Sequence, residues 1–207
     1  MRRGRLLIAV AALAGAVFAA VLASDLRAWN DAVAAGDRSF AAHPAQARWR
    51  PATIPPAALS RDLLGLSDDL AYRHAVQDFV AVQRAGCGVD NCYSESLART
   101  SLELRLANLA RRADSTRGSA LYNLLGILAF ADSQQHGASR PAPVERSLAD
   151  FQAAVQLDPA NDDAKFNLEW LLRRLAARGV RPGGTSGQSG PARGHKGAAG
   201  GVPGRGF

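Results

Sequence analysis

An uninterrupted apolar run near the amino terminus most limits what this chain can fold into. Three arginines within the first five residues precede it, and all eighteen residues from Leu6 to Ala23 are Ala, Val, Leu, Ile, Phe or Gly. As a helix rising about 1.5 Å per residue, the run is about 27 Å long, close to the hydrocarbon thickness of a bilayer. Secretory signal cores usually have about 7 to 15 apolar residues, so this length favours an uncleaved signal anchor. A cleaved signal and a buried soluble helix stay open as alternatives.

The basic charge of the chain is confined to its two ends. The net charge is +7, of which residues 1–5 carry +3 and residues 173–207 carry +7, so the middle carries −3. A basic folded body would indicate a nucleic-acid partner, whereas basic ends on an acidic body indicate membrane topology and a tail with a separate role. Because basic residues concentrate on the cytoplasmic side of a span, we expect a cytoplasmic amino terminus and a periplasmic or other extracytoplasmic body.

The rest of the sequence predicts an all-α fold. Apolar residues recur at steps of three and four, and no stretch alternates as a strand would. The expected body helices cover about residues 68–85, 94–112, 119–132, 144–157 and 162–178. Four regions follow from this organisation: an anchor or signal over 1–24, a juxtamembrane helix and proline-rich connector over 25–59, a helical domain over 60–178, and a basic glycine-rich tail over 179–207.

Trp29 lies just beyond the apolar run. It continues the helical spacing of that run together with Val33 and Phe40, so the first helix is expected to extend past the lipid boundary. The indole is expected either at the lipid headgroups or in the core of the first soluble helix. After this helix, Pro44, Pro51 and the prolines that follow exclude regular helix and predict an extended connector.

The segment around Asp158 resembles a tetratricopeptide repeat. The residues that match the repeat pattern are Tyr122, Leu125, Gly126, Phe151, Ala154 and Pro159. In such a repeat Gly126 and Ala154 would let two helices approach closely, and Phe151 would fill the space between them. The chain departs from the family pattern by an insertion of about nine residues in the interhelix turn, relative to the 34-residue period. The resemblance implies a solenoid of two to three irregular helix pairs with a capping last helix.

A helical domain of this type would bind a partner in the groove formed by its first helices. The predicted groove residues are Asn123, Ile127, Phe130, Asn167 and Trp170.

Cys87 and Cys92 flank a short glycine-bearing loop between two helices. Outside the cytoplasm they are expected to form a disulfide, while free thiols or a redox or metal role stay open. His74 and Asp78 lie at i and i+4 on one helix, an arrangement that is more often a surface pair than a site. With no nucleophile motif, phosphate loop or metal-ligand spacing, the chain is predicted to be non-enzymatic, without a cofactor or a metal.

The last segment, residues 179–207, contains eleven glycines, three prolines, four basic residues and no acid. Such a composition buries too little apolar surface to fold alone, so a disordered tail is expected. Its charge would suit anionic lipid, an envelope polymer or an acidic protein, and a solubilising role without a partner stays open. An exported tail would meet no nucleic acid.

Several features together resemble a small family of bacterial membrane-anchored proteins. They are the basic start, the single span, the "WNDAVAAGD" segment, a connector containing Trp49 and one late tetratricopeptide-like repeat. The family comprises accessory proteins encoded beside MoxR-type ATPases and von Willebrand A-domain proteins, the MxaK-type group among them. The resemblance implies a part in the maturation or metal loading of a partner enzyme, or in envelope integrity, through protein contacts.

We therefore expect a non-enzymatic, membrane-anchored interaction module that assists assembly or maturation of a partner complex, with proteins of MoxR and A-domain clusters as candidate partners. One alternative is an envelope-binding tether that acts through its tail. A thiol oxidoreductase that uses Cys87 and Cys92 is the other.

Overall fold

A computed structural model of the chain describes residues 2–51, 61–63, 65–85, 92–135 and 141–179. Every regular element in these ranges is helical, which confirms the predicted all-α fold. The helices are α1 (Arg2–Ala42), α2 (Leu66–Arg84), α3 (Cys92–Ala110), α4 (Ser115–Gln135), α5 (Pro141–Leu157) and α6 (Asp162–Ala177), with a 3-10 turn at Pro44–Gln46 after α1.

Helix α1 is a single element of 41 residues that continues through the predicted boundary at residue 24. It contains no proline, so nothing in the sequence interrupts its backbone hydrogen bonds. Within the described residues it is the one helix long and apolar enough to cross a membrane. Its apolar side chains lack protein contacts along this stretch, since Leu7 and Ile8 are 70% and 71% exposed.

The connector after α1 folds back along α2. It is not uniformly extended as predicted, because Pro44 begins a 3-10 turn, where a fixed φ is tolerated at the first position. The chain is irregular over residues 47–51. Trp29, Ala47, Trp49 and Leu70 form one buried cluster. Of the two expectations for Trp29, the core position is the one observed, since its side chain is 6% exposed.

The main core lies between α2, α3 and α4. Its buried apolar residues are Ala75, Val82, Leu102, Leu106, Leu109, Ala110, Leu121, Leu125 and Leu128. Residues of α2 on the stripe at steps of four and three point into it, as the apolar spacing predicts. This core fixes the helices that carry the candidate sites.

Helices α4 and α5 form an antiparallel hairpin. The hydroxyl of Ser119 donates to the carbonyl oxygen of Ala154 over 2.7 Å, and that of Ser147 donates to the carbonyl oxygen of Gly126 over 2.8 Å. Contacts thus run from the start of one helix to the end of the other. The predicted insertion is partly helical, because α4 reaches Gln135 and α5 begins at Pro141. Prolines are tolerated in a first helical turn.

The chain divides into two compact units, residues 1–171 and residues 172–207. The first unit contains α1 to α5 and most of α6. The described part of the second unit is the last turns of α6 and the residues up to Gly179.

Candidate functional site

The predicted groove residues come together between α4 and α6. The amide Nδ2 of Asn167 donates to Oδ1 of Asn123 over 2.9 Å. Two turns further along α4 and one turn further along α6, the rings of Phe130 and Trp170 meet edge to face with centroids 4.9 Å apart. Ile127 lies between the two pairs on α4 and is half-buried. Four of the five residues therefore join the two helices to each other, and their role toward a partner stays a prediction.

An exposed aromatic surface remains on α6. Phe166 is 67% exposed, and Trp170, one turn later, keeps 40% of its surface exposed while its ring contacts Phe130. We call Phe166 and Trp170 the aromatic ridge. Exposed aromatic side chains are enriched where proteins bind one another, because they supply large contact areas at little cost in conformational entropy. Phe166 is not among the groove residues predicted from the sequence, whereas Trp170 is.

The residues of the repeat-like pattern lie in the α4–α5 hairpin and its closing turn. A Cβ atom added to Gly126 would lie 2.6 Å from the ring of Phe151, so only glycine fits at this crossing. Phe151 and Ala154 are 3% and 0% exposed, and Leu125 is buried beside the half-buried Tyr122. Pro159 lies in the turn between α5 and α6. Contacts at Gly126, Phe151 and Ala154 are those expected for closely paired helices.

Asn161 connects this turn to α6 and to α4. Its Oδ1 accepts the backbone N–H of Ala164 over 3.0 Å, which caps the start of α6. Its Nδ2 donates to the hydroxyl of Ser119 over 2.8 Å. The oxygen of Asp158 accepts the N–H of Ala160 over 2.9 Å. These bonds hold α6 against the hairpin and place the aromatic ridge.

A second polar centre joins α1 to α2, and sequence analysis did not identify it as a site. The indole N–H of Trp49 donates to Oδ1 of Asp37 over 2.8 Å. The guanidinium of Arg73 contacts the same carboxylate through both oxygens, over 2.9 Å and 3.0 Å. A Cβ atom on Gly36 would lie 2.3 Å from the Trp49 ring. We call Gly36, Asp37, Trp49 and Arg73 the tryptophan clasp.

The tryptophan clasp is reinforced from two sides. Gln77 on α2 donates its amide to the carbonyl oxygens of Pro44 and Ala47, over 2.7 Å and 3.2 Å. The ring of Trp49 packs against Phe40 and edge-on against His74, with centroids 5.9 Å and 5.4 Å away. The hydrogen bond from Arg73 is the main cause that lowers the pKa of the Asp37 carboxyl, burial opposes it, and the Trp49 indole adds to it.

His74 and Asp78 do not act together. His74 contacts Trp49, whereas Asp78 forms an ion pair with Arg105 of α3. The bonds in which each takes part are structural.

A half-buried charged cluster lies where α3, α4 and α5 meet. Arg146 lies 3.8 Å from Glu103 and 3.6 Å from Asp132. Burial raises the pKa of the Asp150 carboxyl to about 6, the charge of Arg146 opposes this rise, and that of Glu103 adds to it. Burial also raises the pKa of Glu103. Within the described ranges, no group of three or more His, Cys, Asp or Glu side chains is placed to hold a metal ion.

Two predictions fall on residues that the structure does not describe. The predicted disulfide joins Cys87, which lies outside the described residues, to the side chain of Cys92, which is also not described, and the tail from residue 180 onward lies outside as well. Both stay predictions.

Comparison with known proteins adds no relative. No family model, no curated protein and no solved structure matches the chain. The candidate sites are therefore interpreted from their own residues and geometry.

Proposed function

We propose that this protein is a membrane-anchored, tetratricopeptide-like interaction module that assists assembly or maturation of a partner complex outside the cytoplasm. The observation that carries the proposal is the aromatic ridge, an exposed pair of rings on α6. The body that presents it is joined to the end of α1 by the tryptophan clasp. A ridge held in this way is suited to contact a second protein close to a membrane.

The repeat-like character of the body rests on the α4–α5 hairpin. Gly126 lies against Phe151, and Ala154 is fully buried, as the pairing of two helices in such a repeat requires. The contacts between α4 and α6, through Asn123 and Asn167, correspond to the packing of one first helix on the next. The face formed by first helices is where proteins of this class bind extended segments.

The location follows from the charges that flank the apolar run. Arg2, Arg3 and Arg5 precede it, and no such cluster of cations follows it directly. The positive-inside rule then leaves the body on the extracytoplasmic side, and the length of the run fits a single-pass anchor of the inner membrane. Proteins of MoxR and A-domain clusters are the candidate partners, and the module itself is non-enzymatic.

Photo-crosslinking from membranes tests this proposal. A photoreactive phenylalanine derivative is placed at position 166 in one variant and at position 93 in a matched control. Both native residues are exposed aromatics, Phe166 at 67% and Tyr93 at 80%, and they lie on different helices. We expect a discrete product at position 166, identified by mass spectrometry as an ATPase-associated or A-domain protein. Equal products at both positions would contradict binding at the aromatic ridge.

The tether alternative is separated in the same experiment by a chain that ends at Arg178. An interaction through the ridge is retained in this shorter chain, because the tail makes no part of the proposed surface. Loss of every crosslink with the tail would instead identify residues 179–207 as the binding segment. The oxidoreductase alternative predicts that a Cys87→Ser/Cys92→Ser variant loses all activity in cells, whereas a structural disulfide predicts only lower stability.

A further inference from the structure

An open cavity lies at the end of the body that is nearest the apolar span. It is lined by the residues after α1, by the first half of α2 and by the second half of α3, and its volume is about 730 Å³. Pockets of about 300 to 1,000 Å³ are the usual size for small-molecule and cofactor sites. The cavity is large enough for a phospholipid headgroup.

The charge of this cavity has one sign. Its lining includes the four arginines Arg50, Arg61, Arg105 and Arg112 and not one Asp or Glu of the described residues. We call it the arginine cavity. Two of the four arginines have acidic partners outside the lining: Arg61 lies 3.3 Å from Asp62, and Arg105 pairs with Asp78.

The other two arginines differ from this pair. Neither Arg50 nor Arg112 forms an ion pair with any residue in the described ranges. The Nε of Arg112 reaches the main-chain oxygen of Asn108 over 3.4 Å, which leaves the rest of its guanidinium for another acceptor. Two uncompensated guanidinium groups at one concave surface attract an anion, and their planar donors match the oxygens of a phosphate.

The floor of the arginine cavity is aromatic and has hydrogen-bond donors around it. Trp29 and Trp49 line it, and both are almost completely buried. The indole N–H of Trp29 is buried without an acceptor in the part of the chain that the structure describes. Ser67 and Ser101 also line the wall, but their hydroxyl groups already donate to Asp62 and to the carbonyl oxygen of Ala98. An anionic oxygen bound here would find the arginines together with the unpaired indole N–H of Trp29.

The position of the cavity indicates which anion is nearest. Trp29 lies six residues after Ala23 on the same continuous helix, which places it about 9 Å beyond the apolar run at about 1.5 Å per residue. Along α2, Leu70 shares a cluster with Trp29, Arg73 pairs with Asp37, and Gln77 bonds to Pro44 just after α1. Helix α2 therefore runs in the same direction as the end of α1, and its first residues lie on the side of the apolar run. The headgroup region extends about 5 to 8 Å beyond each face of the hydrocarbon core. Trp29 therefore lies just beyond the outer limit of this region, and the lipid headgroups are the anions nearest to the cavity.

We propose that the arginine cavity binds the phosphate of an anionic phospholipid from the bilayer in which α1 is anchored. Arg50 and Arg112 supply the charge for recognition, and Trp29 and Trp49 form the apolar floor under the glycerol. The proposal rests on the anchor role of α1 in the proposed function, but not on a protein partner. It would fix the body against the membrane surface at a second point.

Native mass spectrometry of the full-length protein in detergent with equal amounts of phosphatidylglycerol and phosphatidylcholine tests the proposal. We expect the wild type to retain phosphatidylglycerol preferentially. The Arg50→Gln/Arg112→Gln variant should lose about thirtyfold in affinity for this lipid, since each basic side chain at an anionic surface contributes about a factor of five. The Arg38→Gln/Arg84→Gln variant is the matched control, because it removes two exposed arginines that line no described cavity. It should keep the preference.

Two further measurements distinguish lipid binding from a folding defect and from binding of a soluble phosphate. The Arg50→Lys/Arg112→Lys variant keeps both charges and should retain most of the preference, which excludes misfolding as the cause of the loss. Displacement of phosphatidylglycerol by micromolar glycerol 1-phosphate would assign the cavity to a soluble ligand and overturn the lipid source. An equal loss in the control variant would overturn the cavity as the site.

Alkaline extraction of membranes tests the anchoring by α1 separately from lipid binding by the arginine cavity. If the wild type resists extraction but shows no lipid preference, the arginine cavity is not a lipid site and the anchor stands. If the wild type is extracted, the anchor role fails, and the lipid proposal fails with it. If the glutamine variant keeps its lipid but loses a crosslinked acidic protein, the occupant is that protein and not a lipid.

Discussion

The α4–α5 hairpin and the tryptophan clasp hold helices together by opposite means. In the hairpin, Gly126 and Ala154 bring two backbones close enough for Phe151 to fill the crossing. In the tryptophan clasp, the carboxylate of Asp37 joins two side chains that come from residues far apart in the sequence. The hairpin depends on shape, and the clasp depends on directional bonds to one charge.

Because of this difference, the two regions should tolerate substitutions to different extents. A close helix crossing is destabilised when the volume of any one side chain changes, because a tightly packed interior cannot accommodate an added or missing methylene group without a loss of stability. A charged hydrogen-bond centre that is partly open to solvent loses less when it is altered, because water replaces part of each lost bond. Substitutions should therefore cost more in the hairpin than in the clasp, and they should act on different parts of the molecule.

Phe151→Ala should have the largest effect on stability. Phe151 is 3% exposed and packs on Gly126, so its removal leaves a cavity that the hairpin cannot close. The free energy of unfolding should fall by about 3 to 5 kcal/mol, measured by urea denaturation of the body. Gly126→Ala probes the same contact from the other helix, because the added Cβ atom would clash with the Phe151 ring in the native protein.

A double-mutant cycle tests that contact directly. In the native background Gly126→Ala should destabilise by about 1 to 3 kcal/mol through overpacking. In the Phe151→Ala background the same change should stabilise by about 1 kcal/mol, since alanine is the better helix former once the ring is gone. The same sign in both backgrounds would show that close packing does not explain why glycine is needed.

Trp49→Ala should open the tryptophan clasp without opening the hairpin. It removes a buried ring, the hydrogen bond to Asp37 and the contact with His74, for an expected local loss of about 3 kcal/mol. The rate of amide hydrogen exchange, measured by mass spectrometry, should increase at the end of α1 and in α2, whereas the amides of α4 and α5 should stay protected. Faster exchange throughout the body would contradict the separate stability of the hairpin and the tryptophan clasp, because the two regions would then unfold together.

Asp37→Asn should have a smaller effect on the same region. The side chain of Asp37 is 48% exposed, so the loss of its ion pair is screened, and about 1 kcal/mol is expected. Asp31→Asn is the control, an exposed acid on α1 with no bond to the clasp, and it should be neutral.

The pH dependence of the Asp37 effect follows from its bonds. The pKa of Asp37 is lower in the folded protein than its ordinary value of 3.8, so its stabilisation is present above that pH and is lost as the pH falls further. The difference between wild type and Asp37→Asn in thermal denaturation should be constant from pH 5 to 8 and should disappear in acid. A difference that grows in acid would contradict the role assigned to the carboxylate.

Asp150→Asn should have an effect as small as that of Asp37→Asn, but of the opposite sign. The folded pKa of about 6 exceeds the ordinary 3.8, so the folded state binds the proton more tightly and wild-type stability falls as the pH rises between these values. The asparagine variant avoids this loss and should be more stable than wild type by about 1 kcal/mol at pH 7, after allowance for partial exposure. At pH 4 the two should be equal in denaturant titrations; a difference there would assign the effect to packing.

The sequence allowed the hairpin to be predicted but not the clasp. Gly126 and Phe151 lie in one local pattern with regular spacing, and local spacing is what helix geometry converts into contacts. Asp37, Trp49 and Arg73 lie in three elements, and their meeting depends on how the connector folds back, which no periodicity encodes. Gly36 and Trp49 were noticed only through a family resemblance, whereas Trp29 was predicted from its helical spacing.

In the predicted groove, too, local spacing did not predict a contact between separate helices. The positions of Asn123 and Asn167 on their helices were predictable, but the bond between them depends on the distance between two helices in space. The arginine cavity was missed for the same reason, since its four arginines lie between residues 50 and 112 and show no common spacing.

Because α1 is one continuous helix, its length determines how the body is rotated around the helix axis relative to the apolar run. From Ala23 to Asp37 the helix advances by fourteen residues, about four complete turns. Each residue inserted in this interval would rotate everything beyond it by about 100° and move it outward by about 1.5 Å. The number of residues between the apolar run and the tryptophan clasp therefore sets which side of the body faces a given direction around the axis of α1.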